Sequence, residues 1–99
     1  MTARRSLVRV TNPLGMHARA AARFARLASR VSARVTVEHD WRTVDGKSIL
    51  GLLLLGAACG TEIAIVADGE DADAAVEALC RLVEASFEEG EADLAARPQ

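Results

Sequence analysis

His17 offers two ring nitrogens and stands where a loop ending in Gly15 passes into a run of helical spacing that carries Arg19. The first amides of a helix lack intrahelical acceptors and, with the helix dipole, favour an anion. Arg19 adds a guanidinium whose donors match phosphate oxygens. An imidazole in that place can attack a phosphoryl group and leave it cradled. It can equally cap or pack against the helix, and a lone His-x-Arg spacing favours that plainer role. Ser48, directly before the apolar run Ile49 to Leu55, sits in an N-cap position, a role worth typically about 1 kcal/mol. The other histidine, His39, has no patterned partner and reads as a surface residue. Cys59 and Cys80 fall in neither a CxxC nor a Cys/His ligand spacing, so they signal no disulfide framework and no zinc site. Reduced, mostly buried thiols are the expectation.

The elements that must position these residues follow from periodicity. Leu7 to Val10 is a short β-branched run that stops at Thr11-Asn12-Pro13, where proline interrupts a ladder. From Ala18 to about Val31 the spacing of Phe24, Leu27, Ala28 and Val31 predicts an amphipathic helix. Its opposite face carries Arg19, Arg23, Arg26 and Arg30 in one stripe. Ala33, Val35 and Val37 alternate with polar residues as a strand buried on one side does. His39-Asp40-Trp41 reads as a turn, Arg42 to Val44 as the returning strand, and Asp45-Gly46 as a second break. Ser48 then starts a helix that Gly56 ends. Thr61 to Ala67 reads as a fourth strand. Glu70, Asp71 and Asp73 suit the N-terminus of a last helix, whose apolar stripe is Val76, Leu79, Cys80, Val83 and Phe87. The order is βαββαβα, which points to an α+β sheet covered on one face by helices. Residues 1–88 make one domain, and 89–99 read as an acidic, alanine-rich tail.

Composition narrows the function classes. At 51% hydrophobic residues a chain of this length can bury a core of its own. The N-terminus lacks an apolar segment of the signal-peptide kind, and the apolar stretch Ile49 to Cys59 is far shorter than the roughly 20 residues of a membrane span, so a cytoplasmic location without membrane insertion is expected. Net charge is only −2, yet the first 50 residues hold 10 basic and 3 acidic side chains and the remainder 2 and 11. That asymmetry raises the question of an acidic partner. Nucleic acid is the weaker candidate: the chain has no tyrosine, two phenylalanines and one tryptophan, so a base-stacking platform is lacking, and its acidic half repels phosphate.

The wider segment around His17 decides between the two roles left open above. Asn12-Pro13-Leu14-Gly15-Met16-His17-Ala18-Arg19-Ala20-Ala21 resembles the active-site motif of the HPr family, the histidine-containing phosphocarriers of the bacterial phosphotransferase system. Asp45-Gly46-Lys47-Ser48-Ile49-Leu50-Gly51 resembles that family's second-helix motif, and Gly56-Ala57-Ala58-Cys59-Gly60-Thr61-Glu62-Ile63 continues the likeness into the fourth strand. The resemblance covers about residues 5 to 88. It implies an open-faced β-sandwich, with a four-stranded antiparallel sheet covered on one face by three helices. It also implies that His17 accepts phosphate on Nδ1 from enzyme I and passes it to a IIA-type domain, with Arg19 and the amides near Ala18 and Arg19 holding the phosphate. Such a chain is an intermediate in phosphoryl transfer rather than a stand-alone enzyme. The family expectation is a monomer that needs neither metal nor cofactor.

Ser48 corresponds to the serine that HPr kinase/phosphorylase modifies in many relatives, where phosphate would add negative charge to the docking surface. Ile49, Leu50 and Leu53 correspond to an exposed apolar patch gripped by partners, with Leu52 and Leu55 turned inward. Arg23 and Arg26 are further docking candidates, and Arg30 reads as solvent-facing. The chain departs from the family pattern at Ala20, where many relatives have proline, and at Trp41, where glycine is common; Trp41 reads as an exposed loop residue. A rival reading keeps the fold and makes the chain a regulatory signalling module acting mainly by protein binding, with Ser48 and the apolar patch outweighing His17.

Overall fold

In a computed structural model, which describes residues 3–88, the chain runs β1 (Ala3–Arg9), α1 (Ala18–Ala28), β2 (Arg34–His39), β3 (Arg42–Asp45), α2 (Ile49–Leu55), β4 (Glu62–Asp68) and α3 (Ala72–Glu84), closed by a 3-10 turn over Ser86–Glu88. The expected acidic tail, 89–99, lies outside the described residues. The four strands form one sheet in the order β1-β4-β2-β3 with every neighbouring pair antiparallel. The expected fold class therefore holds: an open four-stranded antiparallel sheet with three helices.

Insertion of β4 between β1 and β2 explains how a β-α-β start yields no parallel pairing. It also makes β4 the most apolar strand. Ile63, Ile65 and Ala67 face the helices and are buried, as are Val8 of β1 and Val35 and Val37 of β2. Ala64 points to the open face and is nonetheless buried. It lies beneath an ion pair from Arg5 Nη2 on β1 to Glu38 Oε1 on β2, 3.2 Å apart, that spans the central strand.

Helix α1 turns Ala20, Ala21, Phe24, Ala25 and Ala28 to the core, and α3 turns Ala72, Ala75, Val76, Leu79, Leu82 and Val83. Small residues on α1 let it approach closely, while Phe24, fully buried, supplies bulk worth about 1.5–3 kcal/mol of burial. The stripe on α3 is rotated from the expected one. Cys80 sits at its edge, half-buried, and the helix ends at Glu84, so Phe87 reaches the core through the 3-10 turn with φ 54° rather than by helical spacing.

Other boundaries moved for identifiable reasons. α1 stops at Ala28, three residues early, and the chain tightens as Arg30 N bonds Leu27 O and Val31 N bonds Ala28 O. Val31 still packs against the core from outside the helix. β1 begins at Ala3, four residues before the β-branched run, because the edge of β4 gives Arg4, Arg5 and Ser6 a ladder partner. Asp71 is the N-cap residue of α3, yet its side chain makes no cap bond; its carboxylate accepts the amides of Ser32 and Ala33, both at 2.8 Å, and ties the start of α3 to the loop after α1. The Ser32 amide, chiefly, holds the Asp71 carboxyl below its ordinary range.

Candidate functional site

His17 is the N-cap of α1, with extended backbone at φ −85° and ψ −177°. Its carbonyl takes the first intrahelical bond, from Ala21 N at 2.8 Å. The amides of Ala18, Arg19 and Ala20 therefore precede the hydrogen-bonded ladder and gather at the positive end of the dipole. Ala20, where proline is common, leaves a third amide in this turn; its side chain is buried in the core. Ala18 and Arg19 are exposed and His17 is half-buried, so the histidine is supported and accessible.

The loop that delivers His17 is fixed by contacts the sequence did not advertise. Asn12, completely buried, donates its side-chain amide to Gly15 O at 2.7 Å, and Gly15 N returns to Asn12 O at 3.0 Å. Met16 is buried and its amide bonds Ala57 O, 2.9 Å away, so the histidine loop leans on the segment between α2 and β4. Gly15 makes this possible. Its φ is +65°, and a Cβ there would meet Ala57 O at 2.5 Å and Ala58 Cα at 3.0 Å. Asn12 was visible as part of an Asn-Pro turn and as the first residue of the family-like segment; its burial and its bond to Gly15 are tertiary facts. Asparagine's ability to hydrogen-bond the backbone a few residues on was the one available signal.

Helix α2 presents the second candidate group. Ser48 Oγ accepts Gly51 N at 2.9 Å, an N-cap, and Gly56 ends the helix with φ +67°. Arg42 donates to Leu54 O at 2.9 Å, satisfying a C-terminal carbonyl. Seven residues are too few for a stable isolated helix, so these ends and the core matter. Leu52 and Leu55 are buried as expected. Ile49, Leu50 and Leu53 are exposed, and Leu54, absent from the expected set, is 64% exposed. Leu50, Leu53 and Leu54 stand at i, i+3 and i+4 and form a single apolar face.

The arginine stripe divides. Arg19, Arg26 and Arg30 are exposed, whereas Arg23 is half-buried and donates from Nη1 to Phe87 O at 2.6 Å, anchoring the 3-10 turn. Arg23 thus has a packing role besides any contact with a partner. Two expectations are corrected. His39 is not a surface residue: its side chain is 14% exposed, Nδ1 lies 3.3 Å from Glu62 O and Nε2 lies 3.6 Å from Asp40, because it is the last residue of β2 and packs beside β4. Cys59 is exposed rather than buried, since it rides on the loop after Gly56, with Sγ 3.5 Å from Thr11 O. Cys80 is half-buried, and desolvation raises its thiol pKa. Trp41 is 84% exposed, with the Arg42 guanidinium 5.2 Å from its ring centroid.

This arrangement of a histidine N-cap, a glycine-bent loop and a capped, leucine-bearing second helix agrees with comparison to known proteins. The family model for the PTS HPr component phosphorylation site matches residues 5–85. The chain belongs to the HPr family. Phosphocarrier protein NPr of Shewanella violacea is 43% identical over 89 residues, covering 90% of this chain and 98% of its own. Phosphocarrier protein HPr of Treponema pallidum is 42% identical over 82 residues, covering 83% and 93%. The crystal structure of HPr from Thermoanaerobacter tengcongensis superposes with a TM-score of 0.83 at 37% identity, over 87% of this chain and 97% of that one. Membership in the HPr family places the chain among the phosphocarriers of the phosphotransferase system. No helix of the described residues is long and apolar enough to cross a membrane.

Proposed function

We propose that His17 Nδ1 accepts a phosphoryl group from enzyme I and passes it to a histidine of a IIA-type domain. In each step an imidazole nitrogen attacks phosphorus, the bond from phosphorus to the donor histidine breaks, and the donor imidazole leaves. The supporting observation is the position of His17 as N-cap of an 11-residue helix, at the head of the amides of Ala18 and Arg19, within a segment the family model covers. Those amides and the Arg19 guanidinium stabilise the phosphoryl oxygens, so the protein contributes positioning and electrostatics, as phosphoryl transfer mainly requires. The apolar face of α2, formed by Ile49, Leu50 and Leu53 and extended by Leu54, is the docking surface, with Arg23 and Arg26 meeting acidic groups on the partner. Ser48 is the regulatory position, a substrate for HPr kinase/phosphorylase, whose phosphorylation adds charge to that surface. The carrier works in the cytoplasm.

The test is incubation of wild type and His17→Ala with enzyme I and phosphoenolpyruvate, followed by intact mass and histidine NMR. Acid-labile phosphate at Nδ1 of His17, absent from the variant, is the expected result. No label with several sources of enzyme I defeats the carrier reading and promotes the regulatory one.

A further inference from the structure

The transfer geometry at His17 gives Trp41 no task. The chain's only tryptophan stands in the short turn between β2 and β3 with most of its surface in water. The turn does not require it: the left-handed residue there is Asp40, φ 56°, so the backbone at position 41 is open to ordinary residues. An indole that stays wet contributes no burial to folding. The family pattern, in which glycine is common at this point, does not account for it either.

The ring is nevertheless placed. The Arg42 guanidinium lies 5.2 Å from its centroid and donates from Nη1 to Leu54 O at 2.9 Å, so one side chain ties the indole to the last turn of α2. Leu54 and Leu50, both exposed, continue the apolar surface along that helix. This end of α2 is also the histidine's end of the molecule. Arg9 pairs with Glu62 and Glu38 with Ala64, so β1 and β2 finish at the end of the sheet where β4 begins. His39 Nδ1, 3.3 Å from Glu62 O, and Met16 N, 2.9 Å from Ala57 O, join the β2–β3 turn and the His17 loop to the same segment, residues 57–62. A protein that brings its own histidine to His17 therefore covers the end of the fold from which Trp41 stands out.

We propose that Trp41 is a specificity-determining anchor for enzyme I, its indole packing with Leu50 and Leu54 against an apolar patch beside the donor's phosphorylated histidine. This rests on the carrier reading above and adds to it a residue outside the α2 face. Asp40 and Arg42 flank the indole with opposite charges, so the contact is apolar and its strength changes little with salt. A tryptophan can bury about 150–250 Å², and it loses few torsions in doing so. Residues of this type are over-represented among the few that dominate binding. Enzyme I is the favoured occupant because the donor is a single protein whereas the IIA-type acceptors are a class of domains, and one ring held by its neighbouring cation suits one fixed surface.

The experiment labels the whole chain with fluorotryptophan, which gives a single fluorine resonance from Trp41, and titrates it with enzyme I. Phosphorylation kinetics with phosphoenolpyruvate are measured alongside for wild type, Trp41→Ala and Trp41→Phe. The resonance is expected to shift or broaden as enzyme I saturates the carrier. Trp41→Ala should raise the KM for the carrier about tenfold with kcat and the urea midpoint unchanged, by the same factor at roughly 20 mM and roughly 0.5 M salt, and Trp41→Phe should recover most of the loss. A resonance that stays in place while enzyme I labels His17, or an unchanged KM in Trp41→Ala, overturns the proposal and leaves the carrier reading standing. A response to a IIA-type domain alone overturns it in favour of the acceptor, and a response to carrier concentration alone in favour of a second copy. If enzyme I neither binds nor labels the wild type, the carrier reading fails and the anchor falls with it.

Discussion

Replacing Gly15 with alanine separates two costs that usually arrive together. Gly15 and Gly56 have nearly the same φ, +65° and +67°, but different surroundings. A Cβ on Gly56 finds nothing nearer than Leu54 O at 3.9 Å, whereas one on Gly15 would lie 2.5 Å from Ala57 O. Both variants therefore carry the left-handed penalty of about 1–2 kcal/mol. Only Gly15→Ala adds overpacking, about 1–3 kcal/mol, because neither Ala57 O nor Ala58 Cα is the end of a flexible side chain. The expected loss is about 2–5 kcal/mol for Gly15→Ala and about 1–2 kcal/mol for Gly56→Ala, read from urea midpoints at constant m. Function should divide more sharply. Relief of the clash moves the loop that carries His17 away from Ala57, and a displacement of about 1 Å at a reacting group can cost about 100-fold in rate. Phosphoryl uptake from enzyme I, followed under conditions where both variants remain folded, should fall strongly in Gly15→Ala and little in Gly56→Ala. Equal stability losses, or an undiminished uptake rate in Gly15→Ala, would refute the account of how the loop is positioned.

Three further expectations rest on named contacts. Ser48→Ala removes the acceptor for Gly51 N and should cost about 1 kcal/mol in urea unfolding, with His17 still labelled by enzyme I; an unchanged midpoint would count against the cap. Leu50→Ser on the exposed face of α2 should weaken enzyme I binding while stability stays within about 0.5 kcal/mol, whereas Leu52→Ala on the buried face should lose about 2–5 kcal/mol; isothermal titration and denaturant melts separate them, and the reverse pattern sinks the assignment of faces. Asp71 has its carboxyl pKa lowered in the folded state, so it contributes stability above the unfolded value, roughly pH 4, and that contribution is lost as the pH falls through the folded value. The wild-type urea midpoint should therefore drop more steeply below pH 4 than that of Asp71→Asn, and parallel profiles would be inconsistent with the bonds to Ser32 and Ala33.

The sequence by itself determined the elements and the two motifs. Period 3.6 in α1 and period 2 in β2 reflect which side chains must leave water, and that pattern is local. The serine cap and glycine stop of α2 are equally local, since each satisfies groups within one turn. His17 and Arg19 stood out as candidates because a loop-to-helix junction is visible in sequence and because two separated blocks resembled one family in order.

Tertiary structure alone decided what depends on residues far apart in the chain. β1 gained four residues because β4 was there to pair with them, and Phe87 was buried by a left-handed turn rather than by helical spacing. The carboxylate of Asp71, at the start of α3, found its partners in the amides of Ser32 and Ala33, far back in the chain. His39 was drawn in beside β4, and Cys59 was left out on the loop after Gly56. The support beneath the histidine is the same kind of fact. Gly15 is bent by its own chain, but the reason it must be glycine is the carbonyl of Ala57, more than forty residues away in sequence. Hydrogen bonds and close contacts of that range are created when the sheet brings loops together, and no pattern within one segment encodes them.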